Sequence, residues 1–208
     1  VSWRQIIPGS ALVSIGPCGN GRVYALHSDG TLDSTEGGRE SAPWRGHGKL
    51  AGATRLACAG RVLYFLGKER ELFNVGAPDT NIATPRRLGR PFAAATLAAA
   101  FSGDMPVPWA LNDDTTLWYN PSDGADSRWV RVGQVKATRI AAAPGRVFAL
   151  GADHALLAST TGRDGSWRNL GSLPDTVDIT ATAAGERAAA TLYALNANGS
   201  LWRGTVAP

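Results

Sequence analysis

RVYALHSDGTL, residues 22–32, reads as two apolar runs joined by an Asp-Gly turn. Val23, Tyr24 and Leu26 favour extended backbone, and Gly30 supplies the positive φ that a tight turn between two strands needs. The stretch is therefore a β-hairpin. It also recurs. GRVLYFL at 60–66, VPWAL at 107–111, GRVFAL at 145–150 and TLYAL at 191–195 each place an aromatic residue two before a Leu: Tyr64, Trp109, Phe148 and Tyr193, matching Tyr24. Five residues after each aromatic stands Asp29, Glu69, Asp114, Asp153 or Asn198, and three further on stands Leu32, Leu72, Leu117, Leu156 or Leu201.

Two further anchors keep the same period. Before each hairpin a branched aliphatic falls at one position: Ile15, Leu56, Leu97, Ile140 and Ile179. After it comes a pattern close to W-R-x-[LIV]-G, seen in SWRNLG at 166–171 and weakened to TPRRLG at 84–89 and RWVRVG at 128–133. SWRQI at 2–6 and PWRGH at 43–47 are further copies. Four anchors recurring in order five times mark an array of one small unit.

Each anchor is a run of four to seven residues bounded by Gly, Pro, Asn or Asp, which is a strand signature. The Ala-rich stretch 91–101 has high helix propensity, but its place in the array makes it a strand. Units of about 40 residues with four strands, stacked so that neighbours cover each other's faces, make a β-propeller. The predicted fold class is all-β, a five-bladed β-propeller of four-stranded antiparallel blades. It fills residues 1–208 as one domain, with outer strands starting near 2, 43, 84, 128 and 166. The small residues of ATRIAAAPG suit the crowded strand nearest the axis. RVYAL-type and GTL-type strands then step outward, and W-R strands lie outermost. Since the chain opens on an outer strand, that first strand should complete the last blade and close the ring.

Bulk composition narrows the function classes. Hydrophobic content of 44% with 18% charged residues suits a packed core, and 25 Gly with 12 Pro favour many short elements over long helices. The net charge of +4 comes from scattered Arg residues with only short doublets such as Arg86-Arg87, not from the basic stripe of a nucleic-acid binder. No apolar run reaches the ~20 residues of a membrane span. No signal-peptide pattern is present, and the start on Val1 points to a segment removed upstream. Cys18 and Cys58 hold near-equivalent places in neighbouring repeats. They either bridge, if their strands lie side by side within ~7 Å, or remain two small buried thiols.

The sequence of SWRNLG, an aliphatic strand, GRVFAL and NGSLW resembles the tectonin repeat. With five units it is most similar to the tachylectin-type five-bladed propeller lectins. That resemblance covers the whole chain. It implies a secreted or surface-acting sugar binder with several sites between adjacent blades, and amino sugars carrying an N-acetyl group, or bacterial surface glycans, as ligands.

The candidate carbohydrate-binding residues are Trp3, Arg4, Trp44, Arg45, Trp118, Trp129, Arg131, Trp167, Arg168 and Trp202. An aromatic face can stack on the apolar side of a pyranose while Arg donates to hydroxyls. Against this, alternation along a strand puts Trp and Arg on opposite faces, so Trp3, Trp44, Trp129 and Trp167 read first as packing between blades. Trp118 and Trp202 end their strands where other copies have Asp33 or Leu157. Uneven occupancy of that kind fits a site kept in some blades as well as it fits relaxed packing. The acids and Asn after each aromatic read as turn residues.

Nothing in the sequence calls for a cofactor. His27, His47 and His154 are scattered without metal-ligand spacing, and no calcium, phosphate or serine-nucleophile motif is present. Paired carboxylates on inner strands would suit glycoside hydrolysis, but those strands carry one acid, Asp178. The chain thus reads as a binder and not an enzyme. Two partner classes follow: glycans on bacterial or cell surfaces, bound weakly at several sites and strengthened by avidity, or a protein partner docking on one face of a propeller cut from a larger protein. The longer AFSGDMPVPW segment of the third copy leans towards the second.

Overall fold

The computed structural model describes residues 3–7, 12–18, 21–36, 43–76, 81–89, 93–102, 105–121, 128–160, 162–184 and 188–207, with only the backbone of 3–7 and 102. No helix occurs among them, and therefore none is long and apolar enough to cross a membrane. The strand β1 (Trp3–Ile7) is followed by four complete blades. Blade 1 holds β2 (Leu12–Pro17), β3 (Arg22–His27), β4 (Thr31–Glu36) and β5 (Arg45–Lys49). Blade 2 holds β6 (Arg55–Ala59), β7 (Val62–Leu66), β8 (Leu72–Gly76) and β9 (Arg86–Gly89). Blade 3 holds β10 (Ala94–Ser102), β11 (Met105–Asn112), β12 (Thr116–Tyr119) and β13 (Val130–Gln134). Blade 4 holds β14 (Arg139–Ala143), β15 (Arg146–Leu150), β16 (Ala155–Ser159) and β17 (Arg168–Ser172). Blade 5 is β18 (Thr176–Thr182), β19 (Ala190–Asn196) and β20 (Leu201–Val206), completed on its outer edge by β1.

Every pairing is antiparallel, and Trp3 lies opposite Gly204 where the first strand joins the last blade. The inner strands β2, β6, β10, β14 and β18 touch one another in cyclic order, and β18 meets β2 across the seam. The chain is a five-bladed β-propeller. The Ala-rich third copy is strand, as its place in the array requires, and its extra residues lengthen the β10–β11 hairpin to the pair Ser102 and Met105.

Alternation along the inner strands builds five separate cores, one between each pair of neighbouring blades. Ala141 and Ala143 of β14 face Ile179 and Ala181 of blade 5, while Ile140 and Ala142 on the other side of β14 face Ala98 and Ala100 of blade 3. Ala57 and Ala59 of blade 2 likewise meet Leu97 and Ala99 of blade 3. Small side chains let the inner strands come close. The aromatic anchors fill the wider space behind them: Tyr24, Tyr64 and Phe148 are fully buried and Tyr193 nearly so. Burying such a side chain stabilises the fold by about 1.5–3 kcal/mol.

The W-R-x-[LIV]-G motif is a bulged outer strand. Leu156 pairs with Gly171 and Leu157 with Asn169, so Leu170 is the extra residue. The same step occurs at His47 before Gly48, at Leu88 before Gly89 and at Val132 before Gly133. Gly48, Gly89 and Gly171 have φ of 106°, 110° and 121°, which only glycine adopts cheaply. The motif is thus a backbone requirement first.

The structure decides the open question on the cysteines. Cys18 and Cys58 form a disulfide with their Cα atoms 5.2 Å apart, inside the core between blades 1 and 2. The reading as two isolated thiols is overturned because β2 and β6 are neighbours around the axis. Asp178 ties the seam nearby. It accepts hydrogen bonds from Ser14 Oγ at 2.7 Å and from the Ile15 N–H at 3.3 Å, and Ser14 Oγ in turn accepts from the Leu56 N–H at 2.9 Å. Blades 5, 1 and 2 are thereby joined by polar contacts as well as by apolar packing.

Candidate functional site

The antiparallel path gives the ring two unlike faces. One carries the hairpin turns between second and third strands, at 28–30, 68–70, 113–115, 152–154 and 197–199, and the starts of the inner strands. The other carries the turns between first and second strands and the starts of the outer strands. We refer to these as the turn face and the motif face.

The turn acids do what their position suggests. Asp29, Asp114, Asp153 and Asn198 each accept a hydrogen bond from the backbone N–H two residues on, at 2.9, 3.0, 3.1 and 2.9 Å. Asp29 is held below the usual carboxylate range chiefly by its hydrogen bond to Lys49, and Asp114 chiefly by the hydroxyl of Thr116.

The candidate Trp-Arg pairs divide accordingly. Trp44, Trp129 and Trp167 are half-buried at the motif face, and each leans on the core shared with the preceding blade. Their work is inter-blade packing. Trp3 and Arg4 lie in β1 opposite Gly204 and Arg203, and their side chains fall outside the described set. Arg45, Arg131 and Arg168 are exposed, and Arg168 lines a motif-face cleft of about 300 Å³ with Arg146, Ser159 and Ser166. In Trp44-Arg45 and Trp167-Arg168 the indole packs on a core while the guanidinium is exposed, as strand alternation requires.

Trp118 and Trp202 behave differently. Trp202 lines a turn-face pocket of about 220 Å³ between blades 4 and 5, with Leu173, Pro174, Thr176, Ala194 and Asn196. Its indole is fixed at one end, where Nε1 donates to Ser200 Oγ at 3.0 Å. Thr176 Oγ1 donates to Asn196 Oδ1 at 3.0 Å, and the Asn196 amide N–H groups have no acceptor among the described residues. The pocket therefore offers an apolar wall, an oriented indole and a directed amide donor. It lies below the ~300–1,000 Å³ of drug-sized sites and suits one small ring.

Blade 3 repeats the constellation. Trp118 Nε1 donates to Thr116 Oγ1 at 2.9 Å, Asn112 Nδ2 donates to the same oxygen at 3.3 Å, and Asn112 Oδ1 is buried without a donor. Arg131 lies directly across from Trp118 on β13. The equivalent of the Leu173–Pro174 wall would be residues 91 and 92, which lie outside the described set. The other blades are closed at this place. In blade 1, His27 Nε2 and Asp33 Oδ2 pair at 2.7 Å. In blade 2, Phe73 stacks on Phe65 with ring centres 4.9 Å apart. Blade 4 has Gly151 and Leu157, with no polar group to offer.

Asn112 and Asn196 were not among the sequence candidates. A signal for them exists: three residues after the aromatic anchor, Asn occurs in the two blades that carry Trp nine residues after it. Among the described residues no group of three His, Cys, Asp or Glu side chains could hold a metal ion.

No family model matches the chain, and no curated protein matches it. Solved structures do. A glutaminyl cyclase from Myxococcus xanthus aligns over 99% of this chain and 96% of its own, at 14% identity and a TM-score of 0.61. A Bacteroides thetaiotaomicron protein of unknown function aligns over 95% of this chain and 60% of its own, at 12% identity and a TM-score of 0.61. A chain of the nidogen–laminin complex aligns over 97% of this chain and 82% of its own, at 11% identity and a TM-score of 0.58. At these identities the likeness is one of fold.

Proposed function

We propose that the chain is a carbohydrate-binding module of the tectonin or tachylectin type, with residues 1–208 acting as one unit, and that it works outside the cell or on a surface. The observation that carries this reading is the Trp202 pocket, where a fixed indole, an Asn amide and an apolar wall meet between two blades. A pyranose with an N-acetyl group fits such a site: the methyl and ring face meet Trp202 and Leu173, and the sugar oxygens accept from Asn196. The disulfide supports an oxidising setting, where such bonds persist. Binding alone, without covalent chemistry, is the proposed activity, and neither pocket group is a nucleophile paired with a base.

Blades 3 and 5 keep the constellation, so at most two sites per ring are expected, fewer than five equivalent ones. A glycan array followed by titration tests this. Saturation by one class of N-acetylated amino sugar at one or two sites, abolished at one of them by Trp202→Ala, supports the reading. Absence of any hit, or hits indifferent to Trp202→Ala, counts against it.

One observation favours a protein partner. On the motif face, a cleft of about 160 Å³ between blades 3 and 4 is lined by Trp109, Tyr119 and Phe101. Phe101 and Met105, on the lengthened β10–β11 hairpin, are 36% and 49% exposed. An aromatic cleft with apolar rims suits a peptide segment. Loss of a captured partner on Met105→Asp, with sugar binding intact, would establish that second role.

A further inference from the structure

The residue just before each aliphatic anchor occupies the same place on all five inner strands. Around the axis these are Ser14, Arg55, Thr96, Arg139 and Asp178. They sit toward the turn-face end of the ring's axis, here the axial mouth, and split into two halves. Asp178 and Ser14 are satisfied by each other and by the Ile15 N–H. Arg55, Thr96 and Arg139, on three successive blades, form an arc of hydrogen-bond donors.

The two arginines are placed alike. Each follows an Ala-Thr pair whose Thr hydroxyl donates to a backbone carbonyl, Thr54 to Leu66 at 3.1 Å and Thr138 to Leu150 at 3.2 Å. Each guanidinium then donates one N–H to the carbonyl of that Thr, at 2.7 Å for Arg55 and 2.6 Å for Arg139. The Nε groups of both are buried and have no acceptor. Arg139 Nε is 3.8 Å from Asp178 Oδ1, too long for a hydrogen bond. A buried donor without an acceptor is costly, so the two Nε groups, on either side of blade 3, would each be stabilised by an acceptor that reaches them.

Charge says which acceptor. Two guanidinium cations and one carboxylate leave an excess of one positive charge at the mouth. Burial first, and the neighbouring Arg55 cation second, push Arg139 below its usual range. One monoanion balances the site, whereas a dianion overshoots it. A planar carboxylate also matches two guanidinium forks, which bind it with paired N–H donors.

We propose that this axial mouth binds a single carboxylate group between Arg55 and Arg139, above Thr96. The ligand class is a small carboxylate, either free or borne by an acidic saccharide. The site is separate from the Trp202 pocket and does not depend on the sugar reading proposed above.

Titration of the intact protein with glucuronate, acetate, glucose and inorganic phosphate, at constant ionic strength in chloride, tests it. Glucuronate and acetate should saturate one site per chain and compete with each other, and glucose should not displace them. Tighter glucuronate than acetate binding assigns the site to acidic saccharides, and equal binding assigns it to small free carboxylates. Arg139→Gln and Arg55→Gln, on different blades, should each weaken binding about ten-fold with thermal unfolding still cooperative. Trp202→Ala should leave it unchanged. No saturation by either carboxylate, tighter binding of phosphate, or carboxylate binding that survives both arginine variants would overturn the proposal.

Discussion

Single residues in the hairpin turns carry a conformational demand that the sequence meets only in part. The position six after each aromatic anchor is left-handed in all five blades, with φ of 84° at Gly30, 62° at Arg70, 65° at Thr115, 62° at His154 and 77° at Gly199. Only two of these are glycine. Thr115 is the costliest occupant, because a β-branched side chain crowds its own backbone there and its hydroxyl makes no hydrogen bond among the described residues. Thr115→Gly should therefore stabilise the fold by about 1 kcal/mol, the left-handed penalty less the entropy glycine loses on folding. In a chain of this size that is a rise of about 2–4 °C in Tm, read by thermal unfolding. The converse change at the equivalent site, Gly30→Ala, should destabilise by about 1–2 kcal/mol, since the added Cβ would also stand 3.0 Å from the Leu50 carbonyl oxygen.

At the scale of strands, the pairing order and the path of the chain were legible because side-chain period and turn chemistry agree in every copy. SDGTL, DDTTL and NANGSL announce the same hairpin by Asp or Asn capping its own turn, and the structure keeps that bond in four blades. The W-R motif was legible as a repeat, while the bulge it forms was not. Its Trp residues pack blade on blade, and its Gly answers a bulge that only backbone geometry displays. Thr176 and the wall facing Trp202 were hidden for another reason. They come from a different strand pair than Trp202 does, and no spacing along the chain says that a neighbouring blade supplies Leu173 and Pro174 as the facing wall. Pairing of the cysteines was equally undecided by sequence, because it depends on two strands one repeat apart being neighbours. That bridge spans a separation of 40 residues. By the loss of unfolded-chain freedom it stabilises by about 4 kcal/mol. Cys18→Ala with Cys58→Ala should lower the midpoint in guanidinium chloride accordingly while leaving sugar and carboxylate binding intact, because neither site touches the bridge. Binding lost with the fold retained would show that the bridge shapes the sites.

The whole molecule is a ring closed at one seam, and Asp178 lies on it. Its carboxyl is pushed above the usual carboxylate range by burial, which outweighs the hydrogen bond from Ser14 and the positive charges of Arg55 and Arg139. A raised pKa in the folded state has a definite sign. Between the ordinary value of 3.8 and the folded value, the unfolded chain has lost the proton while the folded ring still holds it. Stability contributed by this group is therefore present at low pH and is lost as pH rises through that window, with a slope of at most about 1.4 kcal/mol per pH unit for one proton. Asp29 and Asp114, with lowered values, slope the other way. They are unchanged in Asp178→Asn, so the difference between the two unfolding curves isolates the seam. An Asn side chain can still accept from Ser14 and Ile15 but cannot ionise. Asp178→Asn should match the native chain near pH 3 and become the more stable of the two as pH rises through that window, by denaturant unfolding at each pH. The opposite result, an Asn variant that weakens as pH rises, would mean that the ring needs the charge of Asp178 to hold Arg55 and Arg139 together. The seam would then be an ion-paired closure, with Asp178 in the charged form that leaves an excess of one positive charge at the axial mouth.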